Sequence, residues 1–232
     1  MPDAIHSAWN LDPILLAVLA AAAWLMRAQP GRVQLGLALA AVAYVSPICA
    51  LSAGLFSARS VHHLLIVFGA TPLLALATWD GSRTWGLDRA RVSLSVAFLL
   101  NVAVFWAWHV PSLYAWALSS DAAYWVGQAA LLGSSVLFWR VLYRSDTTAP
   151  AAFFTLIAMV MQMGLLGAIL TFAPQAVYGP HFLTTQVYGL APVADQQLAG
   201  LIMWVGSLPL TVIAGWAVLR RLIGPMVREA SA

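Results

Sequence analysis

Lysine is absent from the sequence, cysteine occurs once, and charges of either sign are scarce. Charged residues make up 8% of 232 positions, against about 25% in an ordinary soluble domain, which excludes water as the main solvent of the chain. The lone Cys49 excludes an intramolecular disulfide and any CxxC metal or redox motif, although a single thiolate can still act as a ligand. No P-loop, GxSxG or HExxH string occurs, so nothing points to the chemistries those strings carry. No Asp or Glu falls in the interior of an apolar stretch, which argues against a transporter relaying protons through buried acids. The arginines are spread along the chain rather than massed in a patch, so the net charge of +3 offers no nucleic-acid surface.

What remains is apolar: 62% of the residues are hydrophobic. Seven apolar stretches, at about 11–27, 33–51, 60–78, 91–109, 122–143, 150–172 and 196–219, are each long enough to span a bilayer as a helix. The first has no basic residue ahead of it and is expected to be a span rather than a cleavable signal. The fold class expected is all-α, a single domain over 1–232 made of seven transmembrane helices. Connections are short except for 173–195, whose Pro174, Gly179, Pro180, Gly189 and Pro192 predict an ordered loop.

Arginine placement predicts the orientation. Arg27, Arg32, Arg83, Arg89, Arg91, Arg140, Arg144, Arg220, Arg221 and Arg228 fall on one side of a seven-span alternation, and Arg59 falls on the other. Positive-inside bias puts the larger set in the cytoplasm, with the N-terminus outside and the C-terminus inside. Trp106, Trp108, Trp116 and Trp125 then gather at the outer surface, and Trp79, Trp85 and Trp139 at the inner one, as an aromatic belt requires. Pro47, Pro72 and Pro209 fall in or near spans two, three and seven, where each removes a backbone donor.

All five histidines map to the outer half: His6, His62, His63, His109 and His181. Cys49, Asp121 and Asp195 lie at the same depth. Imidazole, thiolate and thioether are ligands that copper favours, and Met159, Met163 and Met203 lie in helices six and seven. Each residue also has a plainer reading. A histidine at a helix end can bond a free carbonyl, a cysteine can be a small buried hydrophobe, and a methionine can fill a packing gap. Asp195 can cap a helix, and Gln128 and Gln162 can hydrogen-bond to neighbouring helices. His62 and His63 point about 100° apart, so one of them at most faces a given site squarely.

Four strings carry a resemblance: HHLLIVFGATPLLAL at 62–76, WAWHVPSLYAWAL at 106–118, LFW at 137–139 and DQQLAGLIMW at 195–204. In this order, over about 30–220, they resemble the CtaG family of caa3-type cytochrome c oxidase assembly factors. The resemblance implies a seven-span plasma-membrane protein of bacteria that is not an enzyme. It further implies help in maturing a haem–copper oxidase, by handling copper on the periplasmic side. Implied partners are oxidase subunits, the lipid bilayer and a periplasmic copper chaperone. The family pattern has two histidines four apart opening the third helix; here Arg59 stands at the first position and His63 at the second. A Glu-His pair before LFW is replaced by Gly127-Gln128. The expected metal residues are His63 and His109, with His62, Cys49, Met163 and Asp195 as further members. Two other readings stay open: an accessory subunit that docks without metal, and a copper permease using Met159, Met163 and Met203.

Overall fold

Asp12 and Pro13 start the first helix as helix chemistry requires. The Asp12 carboxylate accepts from the N–H groups of Ile14 and Leu15 at 2.8 and 2.9 Å, and Pro13, with no N–H to satisfy, takes the first turn. The structure, a computed structural model, describes residues 7–77, 92–144 and 146–230. His6, Trp79, Trp85, Arg83, Arg89 and Arg91 lie outside the described residues. All regular structure among the described residues is helical. The helices are α1 (Pro13–Leu25), α2 (Gly31–Val45), α3 (Pro47–Gly54), α4 (Phe56–Leu64), α5 (Thr71–Leu74), α6 (Leu94–Ala107), α7 (Pro111–Ala117), α8 (Asp121–Leu142), α9 (Ala149–Phe172) and α10 (Pro192–Ala230).

Three of these are long and apolar enough to cross a bilayer: α8, α9 and Pro192–Trp216 of α10. Two bent pairs, α2–α3 at 50° and α6–α7 at 81°, raise the number to five if each pair is one span. The chain is therefore an all-helical, multi-pass membrane protein. α1 is a shorter apolar helix of 13 residues, about 20 Å long against a hydrocarbon core of about 30 Å. Phe153, Phe154, Ile157, Met161, Leu165 and Ile169 turn an apolar face outward from α9, and Leu201, Val205, Leu208 and Val212 do so from α10. Those faces suit lipid.

Proline sets each break. Ser46 and Val110 precede Pro47 and Pro111 and are held extended, at ψ 167° and 124°, because the proline ring crowds the helical region of the residue before it. Pro72 acts differently. The preceding stretch Leu65–Ala70 is a π-helix linking α4 to α5, in which the Thr71 N–H reaches Ile66 O. The next bond of that kind would come from residue 72, which has no N–H. The freed Val67 carbonyl instead accepts from Thr71 Oγ1 at 2.7 Å and from the fully buried indole Nε1 of Trp139 at 2.8 Å.

α9 and α10 pack closest. A Cβ on Gly167 would lie 2.7 Å from Gly200 O, and one on Gly200 would lie 2.5 Å from Gly167 O, so the two backbones touch with no room for a side chain. α10 also packs on α4, and α8 on α6, where Asn101 Nδ2 donates to Ser134 and Ser135 Oγ at 3.2 and 2.9 Å. Gln128 and Gln162 bond across helices as expected, to Tyr44 Oη at 3.3 Å and Trp106 Nε1 at 3.0 Å.

Candidate functional site

The site begins at the start of α4. Leu55 is extended and offers no side-chain cap, so the first N–H groups of α4 need an acceptor from elsewhere. Asp195 of α10, fully buried, supplies it. One carboxylate oxygen accepts from Phe56 N at 2.6 Å, and the other accepts from Ser57 N at 3.2 Å and from Ser57 Oγ. Asp195 does cap a helix, but a neighbouring one rather than its own, and both its oxygens are engaged there.

This cap fixes α4, which carries Arg59, His62 and His63 inward. His109 sits at the corner between α6 and α7. Its backbone N–H bonds Trp106 O at 3.0 Å, and its Nδ1–H donates to Phe105 O at 2.7 Å. That bond leaves Nε2 as the ring atom with a free lone pair. The rings of His63 and His109 stand edge to face with centroids 6.4 Å apart. Nε2 of His63 is buried and has no hydrogen-bond partner. Both rings line a small cavity of about 10 Å³ together with Arg59, Met163 and Met203.

Of the residues expected from sequence, His63, His109 and Met163 therefore meet, and Met203 joins them. The other three are placed elsewhere. Asp195 is the α4 cap. Cys49, on α3, lies 3.5 Å from Tyr124 Oη and 3.9 Å from Asn10 Nδ2. His62 is fully buried against Tyr44, centroid to centroid 5.4 Å, on the side of α4 facing α2. Among the described residues no group of three or more His, Cys, Asp and Glu side chains is arranged to hold a metal; the cluster at the cavity is two imidazoles and two thioethers.

An aromatic roof covers the cluster. Phe56 packs on Tyr178 at 4.3 Å, on Tyr114 at 5.4 Å and on His181 at 5.9 Å between centroids. Tyr178 and His181 belong to the long loop, which folds as two short 3-10 turns, Gly179–His181 and Gln186–Tyr188. Gly189 closes the second turn at φ 74°, a backbone state that suits glycine. Tyr178 Oη donates to His109 O at 2.9 Å. His181 Nδ1–H donates to Gly54 O at 3.2 Å, and Tyr114 Oη donates to His181 Nε2. Two partners thus fix one neutral tautomer of His181. Burial, and then the Arg59 charge, hold its pKa below the usual imidazole value, against the opposing pull of the Gly54 carbonyl and Asp195. The plainer reading of His181, a histidine bonding a free helix-end carbonyl, is what the loop makes of it. Nothing in the local sequence marks Tyr114 and Tyr178 as roof residues, because their partners are distant in sequence.

Arg59 is 3% exposed. Its Nε donates to Ser52 O at 2.9 Å, and its guanidinium carbon sits 5.1 and 5.9 Å from the ring centroids of Tyr114 and Tyr124. Nη2 is buried with no acceptor. Arg59 and His63 both also line a second cavity, of about 20 Å³, with Tyr114, Tyr124 and Gln128.

A family described as cytochrome c oxidase caa3 assembly factor matches the chain over residues 33–224. More distantly, the chain is similar to protein RarD of Salmonella typhi, at 26% identity over 141 residues. It is similar to RarD of Escherichia coli strain K12 at 23% over the same length. Each match covers 61% of this chain and 46% of RarD, so the chain matches about half the length of these curated relatives. No solved structure matches it.

Proposed function

The chain belongs to the cytochrome c oxidase caa3 assembly factor family, and from that premise and the cavity joining His63 to His109 we propose that it holds Cu(I) transiently for a haem–copper oxidase. The observation that carries this is the donor set. His63 Nε2 is buried without a partner, His109 keeps Nε2 free by donating through Nδ1, and Met163 and Met203 line the same space. A metal–imidazole bond is about 2 Å long, so rings 6.4 Å apart between centroids are close enough for one ion to be shared. Imidazole with thioether suits Cu(I), and an ion held by neutral ligands can be handed on. In this reading the chain is not an enzyme, crosses the bacterial inner membrane seven times, and keeps the site on the periplasmic side. It takes copper from a periplasmic chaperone and meets oxidase subunits there.

Arg59 favours a second reading. A buried cation beside the histidines opposes a metal ion, and a docking subunit without metal would leave it undisturbed. Two measurements separate the readings. Purified protein loaded with Cu(I) under reducing conditions should retain about one ion per chain, and His63→Ala or His109→Ala should lower that by tenfold or more in affinity. In cells, the same variants should accumulate normally yet lower oxidase activity under copper limitation, with partial rescue by added copper. Normal oxidase activity in both variants under those conditions gives the docking reading its place.

A further inference from the structure

Arg59 carries a charge with which no described carboxylate pairs directly. A guanidinium keeps its proton in a protein interior. No carboxylate of a described residue forms an ion pair with this one, the described ion pair being Arg144–Asp146 at the chain's surface. Asp195 is an anion buried in the same cluster, but its oxygens accept from α4 and no hydrogen bond joins it to Arg59. Ser52 O takes Nε, and the faces of Tyr114 and Tyr124 offset part of the charge. Nη2 is left buried with no acceptor, a strongly unfavourable arrangement for a charged donor unless something outside the chain completes it.

The space beside it limits what that can be. The cavity lined by Arg59, His63, Tyr114, Tyr124, Gly127 and Gln128 measures about 20 Å³, room for one species of about water size. Phosphate, a carboxylate substrate or a lipid headgroup is too large. Water would fit and would accept from Nη2, but it would leave the guanidinium without a counter-ion in contact. We propose that Arg59 anchors a binding site for one small monovalent anion of halide size in this cavity. Tyr124 and Gln128 lie on its wall with polar groups able to donate; Gln128 uses its Oε1 for Tyr44, and Tyr124 Oη is 3.5 Å from Cys49 Sγ. The site requires neither His109 nor the methionines, so it stands whether or not copper binds. An anion here would also cancel the repulsion that Arg59 exerts on a cation held by His63.

The test uses the full-length protein in detergent, in gluconate buffer at constant ionic strength, with chloride or bromide exchanged in. The thermal midpoint should rise saturably with either halide, by about 5 °C near saturation. Arg59→Met should remove the response. Gln128→Glu would place a carboxylate on the same cavity wall as an internal counter-ion. Its midpoint in gluconate should approach that of the halide-saturated parent, and halide should add nothing. If Arg59→Met does not fold, Gln128→Glu alone decides. A flat halide response in the parent protein overturns the proposal. So does an undiminished response in Gln128→Glu or in a folded Arg59→Met.

Discussion

Arg59, His63 and His181 are three ionisable side chains within one roofed cluster, and their neighbours give them different work. His181 has a donor partner on one ring nitrogen and an acceptor on the other, and so is fully used. His63 has a buried nitrogen with nothing to bond. The sequence sets His63, and not His181, among the candidate ligands; what it does not show is the return of the loop onto Gly54 and Tyr114, which uses both ring nitrogens of His181. His181 also gives a pH prediction. Its folded pKa is depressed, so the stability it contributes is fully present above the unfolded value of about 6.5 and is lost as pH falls toward the folded value. Protonation would put a cation beside Arg59 and turn Nε2 from the acceptor of the Tyr114 hydroxyl into a donor. Thermal midpoints of the parent protein should therefore fall more steeply between pH 7 and pH 5 than those of His181→Gln. Equal slopes would mean that His181 takes no part in the acid response.

At the scale of elements, apolar length foretells α8 and α9 closely, because a stretch that must satisfy its own backbone in lipid has little choice but to be helical. The expected stretch 122–143 is α8 and 150–172 is α9, within a residue at either end. What length alone does not reveal is how a helix is broken or who caps it. The stretch 91–109 says nothing of the 81° turn into α7 at Pro111. Depth counted along a helix places Cys49 and Asp195 level with His63 but not which way they face, and both face other partners. Asp195 holds α4 from α10, and that tie is open to test. Asp195→Ala strands the Phe56 and Ser57 donors in the interior and should cost about 2–4 kcal/mol, whereas Asp195→Asn, keeping one oxygen, should cost about half as much. Denaturation in detergent would measure both. Gly200→Leu should be worse than either at the membrane level. Its side chain would have to enter the backbone of α9 at Gly167 and Thr171, so the variant should fail to accumulate, while Gly133→Leu, with open space beside it, should accumulate normally.

For the whole molecule, Arg140 and Arg144 lie at or just beyond the C-terminal end of α8, whereas Tyr124, Gly127 and Gln128 of its first half line the cavity beside Arg59. Arg140 Nη1 donates to Ala77 O at 3.1 Å, and Arg144 Nη1 donates to Val92 O at 2.9 Å. The end of α8 therefore meets both flanks of the segment that carries Arg83, Arg89 and Arg91. Gly54, His109, His181 and Asp195 meet one another at the cluster through bonds of Gly54, Phe56 and Tyr178. Arg59 belongs to that cluster and is buried, so it faces neither aqueous phase and does not enter the loop count on which positive-inside bias acts. Setting it aside leaves the other ten arginines on one side of the expected seven-span alternation. The topology expected on that count has the arginine end in the cytoplasm and the cluster outside. The prediction is specific to each end. A periplasm-dependent phosphatase fused after Gly179, in the loop that roofs the cluster, should be active, and the same enzyme fused after Arg144 or Arg228 should be inactive. A fluorescent protein that matures only in the cytoplasm should give the opposite pattern at all three positions. Activity of the phosphatase after Arg228 together with inactivity after Gly179 would invert the protein. The cavity at His63 and His109 would then open toward the cytoplasm, and a periplasmic copper donor could not reach it.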